Sequence, residues 1–190
     1  VTVSVWQDKE VIEVQAGYVE DSYGTAVDIG STTVALYLCN LRTGELISAE
    51  SEMNPQIVYG EDVMSRIQYA IENPDGLEKL HKAIISTLNK LLKQAVKSAN
   101  MSLRGTKQSP VSEEIASGTP ALAGGAREEQ ERPRNDIKVQ DILEMVLVGN
   151  STMHHILLNL HPRDLGLAPF VPTIHKSMDI KARELGLHIN

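Results

Sequence analysis

The stretch that most constrains the fold of this chain covers residues 23–38, where two runs of strand-forming residues flank a short polar segment. Residues 25–27 and 34–39 are rich in β-branched, aromatic and other apolar side chains, which favour strands. The segment between them reads DIGSTT. Because Gly30 tolerates backbone geometry that other residues resist, the pattern predicts a β-hairpin with a tight, polar tip.

Two interpretations of this tip are open from the residues alone. Asp and Gly are common in ordinary β-turns for local reasons. Alternatively, Asp28 supplies a carboxylate and Ser31, Thr32 and Thr33 supply hydroxyl groups, a combination suited to binding phosphate together with magnesium. The sequence contains neither a G-x-x-x-x-G-K-[ST] loop nor a G-x-G-x-x-G fingerprint, which excludes the other common nucleotide loops.

The remaining periodicity predicts both strands and helices. We expect a small hairpin at residues 1–14, strands at 45–51, 143–148 and 178–187, and helices at 60–72, 77–100 and 152–159. The first of these helices has an apolar face that consists of Val63, Ile67, Ala70 and Ile71. Residues 101–136 contain Gly, Pro, Glu and Arg with few large apolar side chains, which predicts a long, mobile insertion.

A second polar turn, GNST at residues 149–152, follows an apolar strand and opens a helix. Its Asn or Ser is either a helix cap or a polar group that faces a phosphate. The turn also resembles the G-x-S-x-G elbow of serine hydrolases, but Met153 occupies the place where that elbow needs a small residue. The acidic residues and histidines that would complete a triad lie in a short, irregular tail, so we do not favour a hydrolase.

His154 and His155 are adjacent on the predicted helix. Their side chains therefore point about 100° apart, whereas a zinc-binding pair on a helix uses i, i+4 spacing. We expect these histidines to be packing or surface residues.

Composition and charge narrow the function classes. A net charge of -7 and the lack of a basic stripe argue against a nucleic-acid partner. The single cysteine, Cys39, excludes a disulfide or a cysteine-ligated cluster within the chain and is expected to be a small, buried apolar residue. There is no apolar run of about 18 residues, so we expect no membrane partner and a soluble, cytoplasmic protein. The start at Val1 suggests a fragment or a processed chain.

Several segments resemble a known family. AVDIGSTTVALYL (residues 26–38) resembles the first phosphate motif of the superfamily that groups acetate and sugar kinases, heat-shock chaperones and actin. MNPQIVYGEDVMSRI, VLVGNSTMHHILL and LAPFVP are similar to segments of the reductive activators of corrinoid proteins. The resemblance implies an α/β fold, in which a β-hairpin leader or linker (1–22) precedes a ribonuclease-H-like lobe with a mixed β-sheet and flanking helices (23–190).

The resemblance also implies roles for individual residues. Asp28 would be the catalytic residue and would hold Mg²⁺ through water. The residues that would line the phosphates of ATP are Gly30, Ser31, Thr32 and Thr33, joined from the neighbouring strand by Gly149, Asn150 and Ser151. The segment MNPQIVYGED would border either this cleft or the surface that meets the corrinoid protein.

In that family an iron-sulfur domain delivers an electron to a Co(II) corrinoid, and nucleotide binding and hydrolysis make the step to Co(I) accessible. The resemblance implies that this chain is the first, ATP-binding lobe of such an activator. Its implied partners are a corrinoid protein and a second lobe of the same parent chain, and the iron-sulfur cluster would lie in the parent protein outside this chain.

Alone, the lobe is expected to lack ATPase activity, because phosphoryl transfer needs groups from both sides of the cleft. Two alternatives stay open: a non-catalytic module that docks a corrinoid protein, and a small-molecule kinase of the same superfamily. The oligomeric state also stays open, because a lobe without its partner can expose apolar surface through which a homodimer could form.

Overall fold

The computed structural model describes residues 1–105 and 136–190. Its N-terminal hairpin consists of β1 (Thr2–Trp6) and β2 (Glu10–Gln15), which pair antiparallel in a two-stranded sheet of their own. Both strands are rich in β-branched residues, namely Val3 and Val5 in β1 and Val11, Ile12 and Val14 in β2, and Gln7 and Asp8, both with positive φ, form the turn. The predicted hairpin is confirmed.

A separate sheet of four strands forms the centre of the fold. Its strands are β3 (Tyr23–Ile29), β4 (Thr33–Asn40), β5 (Leu46–Met53) and β6 (Ile142–Gly149). Their spatial order is β5-β4-β3-β6, so the first three form an antiparallel meander while β6 pairs with β3 in parallel. A parallel neighbour requires a long crossover, and the residues between β5 and β6 include the helices that supply it. The predicted mixed sheet is confirmed.

The two faces of this sheet lie in different environments. Val27, Leu36 and Leu38 are at most 2% exposed and belong to the hydrophobic core. Residues that alternate with them are exposed or half-buried, because successive side chains of a strand point to opposite faces. We call the second face the open face; its exposed members include Ala26, Asp28, Tyr37, Val146 and Val148.

Helices cover the other, packed face. The helices in the described residues are α1 (Val63–Glu72), α2 (Gly76–Gly105), α3 (Ser151–Leu157) and α4 (Arg163–Gly166). Short 3₁₀ turns lie at Pro55–Val58, Val139–Asp141 and Ala182–Glu184. The amphipathic α2 contributes most of the helical core through residues that recur at helical spacing, namely Leu80, Ile84, Leu88, Leu91, Leu92, Ala95 and Ala99.

Two predictions about the helices are wrong. Ile71 is 39% exposed, and Arg66 instead lies on the buried face of α1 together with Ile67 and Ala70. α2 continues to Gly105, so residues 101–105 are helical and do not begin an insertion. The rest of the predicted insertion, residues 106–135, lies outside the described residues.

The strand predicted at 178–187 is also wrong, since this segment contains only a 3₁₀ turn. Backbone bonds within the segment, together with Asn89 on α2, account for the difference. The N–H groups of residues 184–187 donate to the carbonyls of residues 181–183. Asn89 Nδ2 donates to the Gly186 carbonyl and its Oδ1 accepts from the His188 N–H, so backbone groups that a strand would pair are bonded to a side chain. Across residues 1–105 and 136–190, no helix has the length and apolar character required to cross a membrane.

Candidate functional site

The predicted polar tip is a three-residue loop, Gly30–Ser31–Thr32, between β3 and β4. The Gly30 N–H donates to the Thr33 carbonyl at 3.0 Å and closes the loop. A Cβ at position 30 would lie 2.7 Å from that carbonyl oxygen, which is closer than real Cβ atoms come, so the loop requires glycine here. Thr32 and Thr33 are exposed and Ser31 is half-buried, so the loop faces solvent.

Asp28 precedes the loop on the open face. In the sheet it pairs with Ala35 on β4 and with Val148 on β6. Its side chain is exposed, and its carboxylate has no hydrogen bond or ion pair with any residue in 1–105 or 136–190. The small Ala35 and the aliphatic Val148 provide no competing charge, so the carboxylate is free to bind a cation.

The second candidate motif lies beside the first. Ile29, the last residue of β3, pairs in parallel with Gly149, the last residue of β6. A Cβ on Gly149 would come within 2.9 Å of the Ile29 carbonyl oxygen, so glycine permits the close approach of the two strand ends. Because parallel strands end at the same edge of a sheet, the loop after β3 and the turn after β6 are neighbours.

Asn150 caps α3, as one of the two interpretations of this turn expected. Its Oδ1 accepts from the Met153 N–H at 2.9 Å. Ser151, the first helical residue, is exposed, and its hydroxyl has no partner in the described part of the chain. No serine-to-histidine bond of the hydrolase type is present there either, since the hydrogen bond between His155 and Ser151 uses the Ser151 backbone carbonyl and not its hydroxyl.

The two adjacent histidines differ in role. His155 is 1% exposed; its Nδ1 donates to the Ser151 carbonyl, which leaves Nε2 to accept from the Thr173 N–H at 3.0 Å. It thereby fastens the irregular C-terminal segment to α3, a packing role that confirms the prediction. His154 Nε2 is buried without a hydrogen-bond partner. Within 1–105 and 136–190, no cluster of three or more His, Cys, Asp or Glu side chains could hold a metal ion.

The segment that begins at Asn54 borders the loop. The Asn54 backbone N–H donates to the Thr32 carbonyl at 2.7 Å, and its side-chain Nδ2 donates to the Gly30 carbonyl at 2.8 Å. The same side chain caps the 3₁₀ turn Pro55–Val58 by accepting from the Gln56 N–H. The family resemblance left open whether this segment borders the cleft or the surface that meets the corrinoid protein. Its contacts place it directly against the polar tip of the β3–β4 hairpin.

Comparison with known proteins agrees with this architecture. The family model described as the RACo middle region matches residues 23–113 and 129–190. The corrinoid activation enzyme RamQ of Eubacterium limosum is 34% identical over 168 residues, which cover 88% of this chain and 22% of RamQ. A solved structure of a reductive activator for corrinoid, iron-sulfur protein matches with a TM-score of 0.73 and 29% identity over 99% of this chain and 24% of that chain.

This chain therefore spans about a quarter of the length of these two relatives. The family match covers most of its residues, including both polar turns and the segment between β5 and α1. The chain belongs to the RACo middle region family.

Proposed function

We propose that this chain is the nucleotide-binding lobe of a protein that couples ATP binding and hydrolysis to the reductive activation of a corrinoid, from Co(II) to Co(I). The observation that carries the nucleotide part is the pairing of Ile29 with Gly149, which brings two polar strand ends together beside Asp28, whose carboxylate has no bonding partner among the described residues. The relatives support the corrinoid part, because one is named as a corrinoid activation enzyme and the other as a reductive activator.

In this proposal Asp28 holds Mg²⁺ through water. A carboxylate that lacks protein partners suits this task, since magnesium prefers oxygen ligands and usually keeps several waters. Bound magnesium neutralises part of the phosphate charge. The groups that would receive the β- and γ-phosphates are the backbone N–H groups of Ser31 and Thr32 and the hydroxyls of Ser31, Thr32 and Thr33. Gly30 lines the site through its backbone, since its own N–H is bonded to the Thr33 carbonyl.

The turn after β6 forms the neighbouring wall of the proposed cleft. Gly149 keeps the two strand ends close. Asn150 uses its Oδ1 as a helix cap, which leaves its Nδ2 donor, together with the Ser151 hydroxyl, for the ligand. Complete catalysis would need the opposite side of the cleft from a second lobe, and the electron would come from an iron-sulfur cluster; we place both in the parent protein.

The nucleotide proposal is tested by titrating ¹⁵N-labelled protein with MgATP and following the amide resonances. We expect the signals of residues 30–33 and 149–151 to shift in the wild type. The Asp28→Asn variant should bind at least about tenfold more weakly, because it keeps the shape of the side chain but loses the charge that attracts magnesium.

Glu144→Gln is the matched control. Glu144 is an exposed acid on β6 that pairs with Gly24 at the other end of β3, far along the strands from the loop. Its neutralisation should leave MgATP affinity unchanged. Equal weakening in both variants would indicate a general charge effect, and the absence of any shift in the wild type at millimolar MgATP would refute nucleotide binding.

The corrinoid part needs a separate measurement. Calorimetry with a purified corrinoid protein, with and without MgATP, tests whether this chain contacts that partner. Binding to the corrinoid protein together with no response to MgATP would favour a docking module over a nucleotide-binding lobe.

A further inference from the structure

A buried polar network lies behind the β3–β4 loop, and its members come from residues 54–66. Asn54, Gln56 and Arg66 are each 0% exposed. Asn54 reaches the loop with both its backbone and its side chain, as described above. Gln56 is held in place by its Nε2, which donates to the Leu80 carbonyl of α2 at 3.1 Å. The network therefore connects the loop to the most extensively packed helix of the core.

Arg66 is the charged member of this network. Its Nε donates to the Gly60 carbonyl at 2.9 Å, its Nη1 donates to Gln56 Oε1 at 3.2 Å, and its Nη2 donates to the Ser31 carbonyl. The pKa of the Arg66 guanidinium is lowered, because burial disfavours its charged form and the charge of nearby Asp62 offsets this effect only in part. Arg66 forms no ion pair with a carboxylate in the described residues. Burying a guanidinium on carbonyl oxygens is energetically demanding, so its contacts with the loop require an explanation.

The geometry of the peptide unit supplies one. Gly30 and Ser31 are followed by trans peptide bonds, in which the C=O and N–H of one unit point in opposite directions. Asn54 holds the Gly30 carbonyl and Arg66 holds the Ser31 carbonyl. The N–H groups of Ser31 and Thr32, which belong to the same two peptide units, must therefore point away from the buried network. Neither N–H donates to any group in the described part of the chain.

We propose that Asn54 and Arg66 are positioning residues that fix two consecutive peptide planes of the loop, so that the N–H groups of Ser31 and Thr32 form a preset pair of donors for a nucleotide phosphate. The side chains themselves do not touch the ligand; they act through the loop backbone. This inference rests on the nucleotide site proposed above. It assigns a function to residues 54–66 and explains why the buried Arg66 donates to the Ser31 carbonyl in a solvent-facing loop.

The decisive variant is Asn54→Ser. Serine is a good cap, so it keeps an acceptor for the Gln56 N–H, but its short side chain carries no amide donor for the Gly30 carbonyl. Arg66→Lys is the second variant, because it keeps the positive charge and loses the planar fork that serves three acceptors at once. Asn40→Ser is the matched control. Asn40 is also buried, and its Oδ1 also accepts from nearby backbone N–H groups, those of Arg42 and Thr43, but it lies at the opposite end of β4.

Two readouts separate positioning from general stability. In the ligand-free protein, ¹⁵N relaxation should show the Ser31 and Thr32 amides as rigid in the wild type and in Asn40→Ser, and as mobile in Asn54→Ser and Arg66→Lys. In a MgATP titration, the last two variants should bind at least about tenfold more weakly, while all three variants lose some thermal stability.

Each outcome decides a specific point. If the loop amides stay rigid in Asn54→Ser and Arg66→Lys, or if those variants bind MgATP as tightly as the wild type, the positioning role is wrong and the proposed function stands. If the wild type does not respond to MgATP, the nucleotide site fails first and the phosphate role of the loop fails with it. Equal loss of affinity in Asn40→Ser would reduce the effect to stability and overturn the proposal.

Discussion

Asp62 and Ser65 close the N-terminus of α1 with a capping box. The Ser65 N–H donates to Asp62 Oδ1 at 2.7 Å, and the Asp62 N–H donates to Ser65 Oγ at 3.1 Å. The Ser65 hydroxyl also donates to Asp62 Oδ1, at 2.8 Å. The bonds from the Ser65 N–H and hydroxyl favour the charged carboxylate and hold the pKa of Asp62 below its ordinary value. A carboxyl group of this kind stabilises the fold above its unfolded pKa, and the contribution is lost as the pH falls through the lowered, folded value.

We expect Asp62→Asn to remove this pH dependence and to keep the cap, because asparagine still offers an acceptor oxygen. The wild type should therefore be more stable than the variant at neutral pH, and this difference should shrink below about pH 4 as Asp62 takes up a proton. Urea unfolding at a series of pH values measures the difference. Parallel pH profiles for the two proteins would contradict the role of Asp62.

Residue-level prediction succeeded where chemistry is visible in a short stretch and failed where it depends on the packed fold. The loop at Gly30 was predictable because small and polar residues interrupt two apolar runs. Arg66 was missed because arginine is almost never fully buried, so the helix pattern was assigned from apolar residues alone. A signal was present, since Arg66 lies three residues after Val63 and four before Ala70, on the same helix face.

At the level of elements, the main sheet combines a packed and an open face in the same strands. Val34 on β4 is 0% exposed and packs in the core, whereas Val148 on β6 is 53% exposed on the open face. Both are β-branched residues at the end of a strand next to the candidate site. Replacing each valine by alanine therefore compares a buried position with an exposed one, while the change in strand propensity is the same at both.

We expect Val34→Ala to destabilise the protein by roughly 2 kcal/mol or more, because it removes two buried methyl groups and leaves a cavity. Val148→Ala should change the free energy of unfolding by no more than about 0.5 kcal/mol. Chemical denaturation of the two variants gives both values. A large loss of stability in Val148→Ala would show that the open face is covered in solution.

A helix or strand was predictable where its formation depends mainly on residues that are close to it in the sequence. The meander of β3, β4 and β5 follows from alternating residues and short turns, and α2 follows from leucine spacing over many turns. Residues 178–187 carry a similar scatter of apolar side chains but form no strand, because the N–H groups of residues 184–187 are bonded within the 3₁₀ turn. Asn89 bonds the Gly186 carbonyl and the N–H of the next residue but one, His188. A side chain almost a hundred residues away in the chain is invisible to a local pattern.

For the whole molecule, the pairing of β3 with β6 is the least local part of the fold, since Ile29 meets Gly149 across more than a hundred residues. Contacts of such sequence separation form slowly. In refolding followed by pulsed hydrogen exchange, we expect amides of β4 to gain protection before those of β6. Simultaneous protection of both strands would contradict this order, and β4 serves as the internal reference in the same sample.

This order has a consequence for the protein during its synthesis. When β3, β4 and β5 have left the ribosome and folded, the loop at Gly30 already exists, but the strand that ends at Gly149 has not yet been made. A growing chain at that stage holds one wall of the proposed cleft without the other. We therefore expect the proposed nucleotide site to form only after translation has passed α3. The docking of β6 onto β3 is the step that completes it.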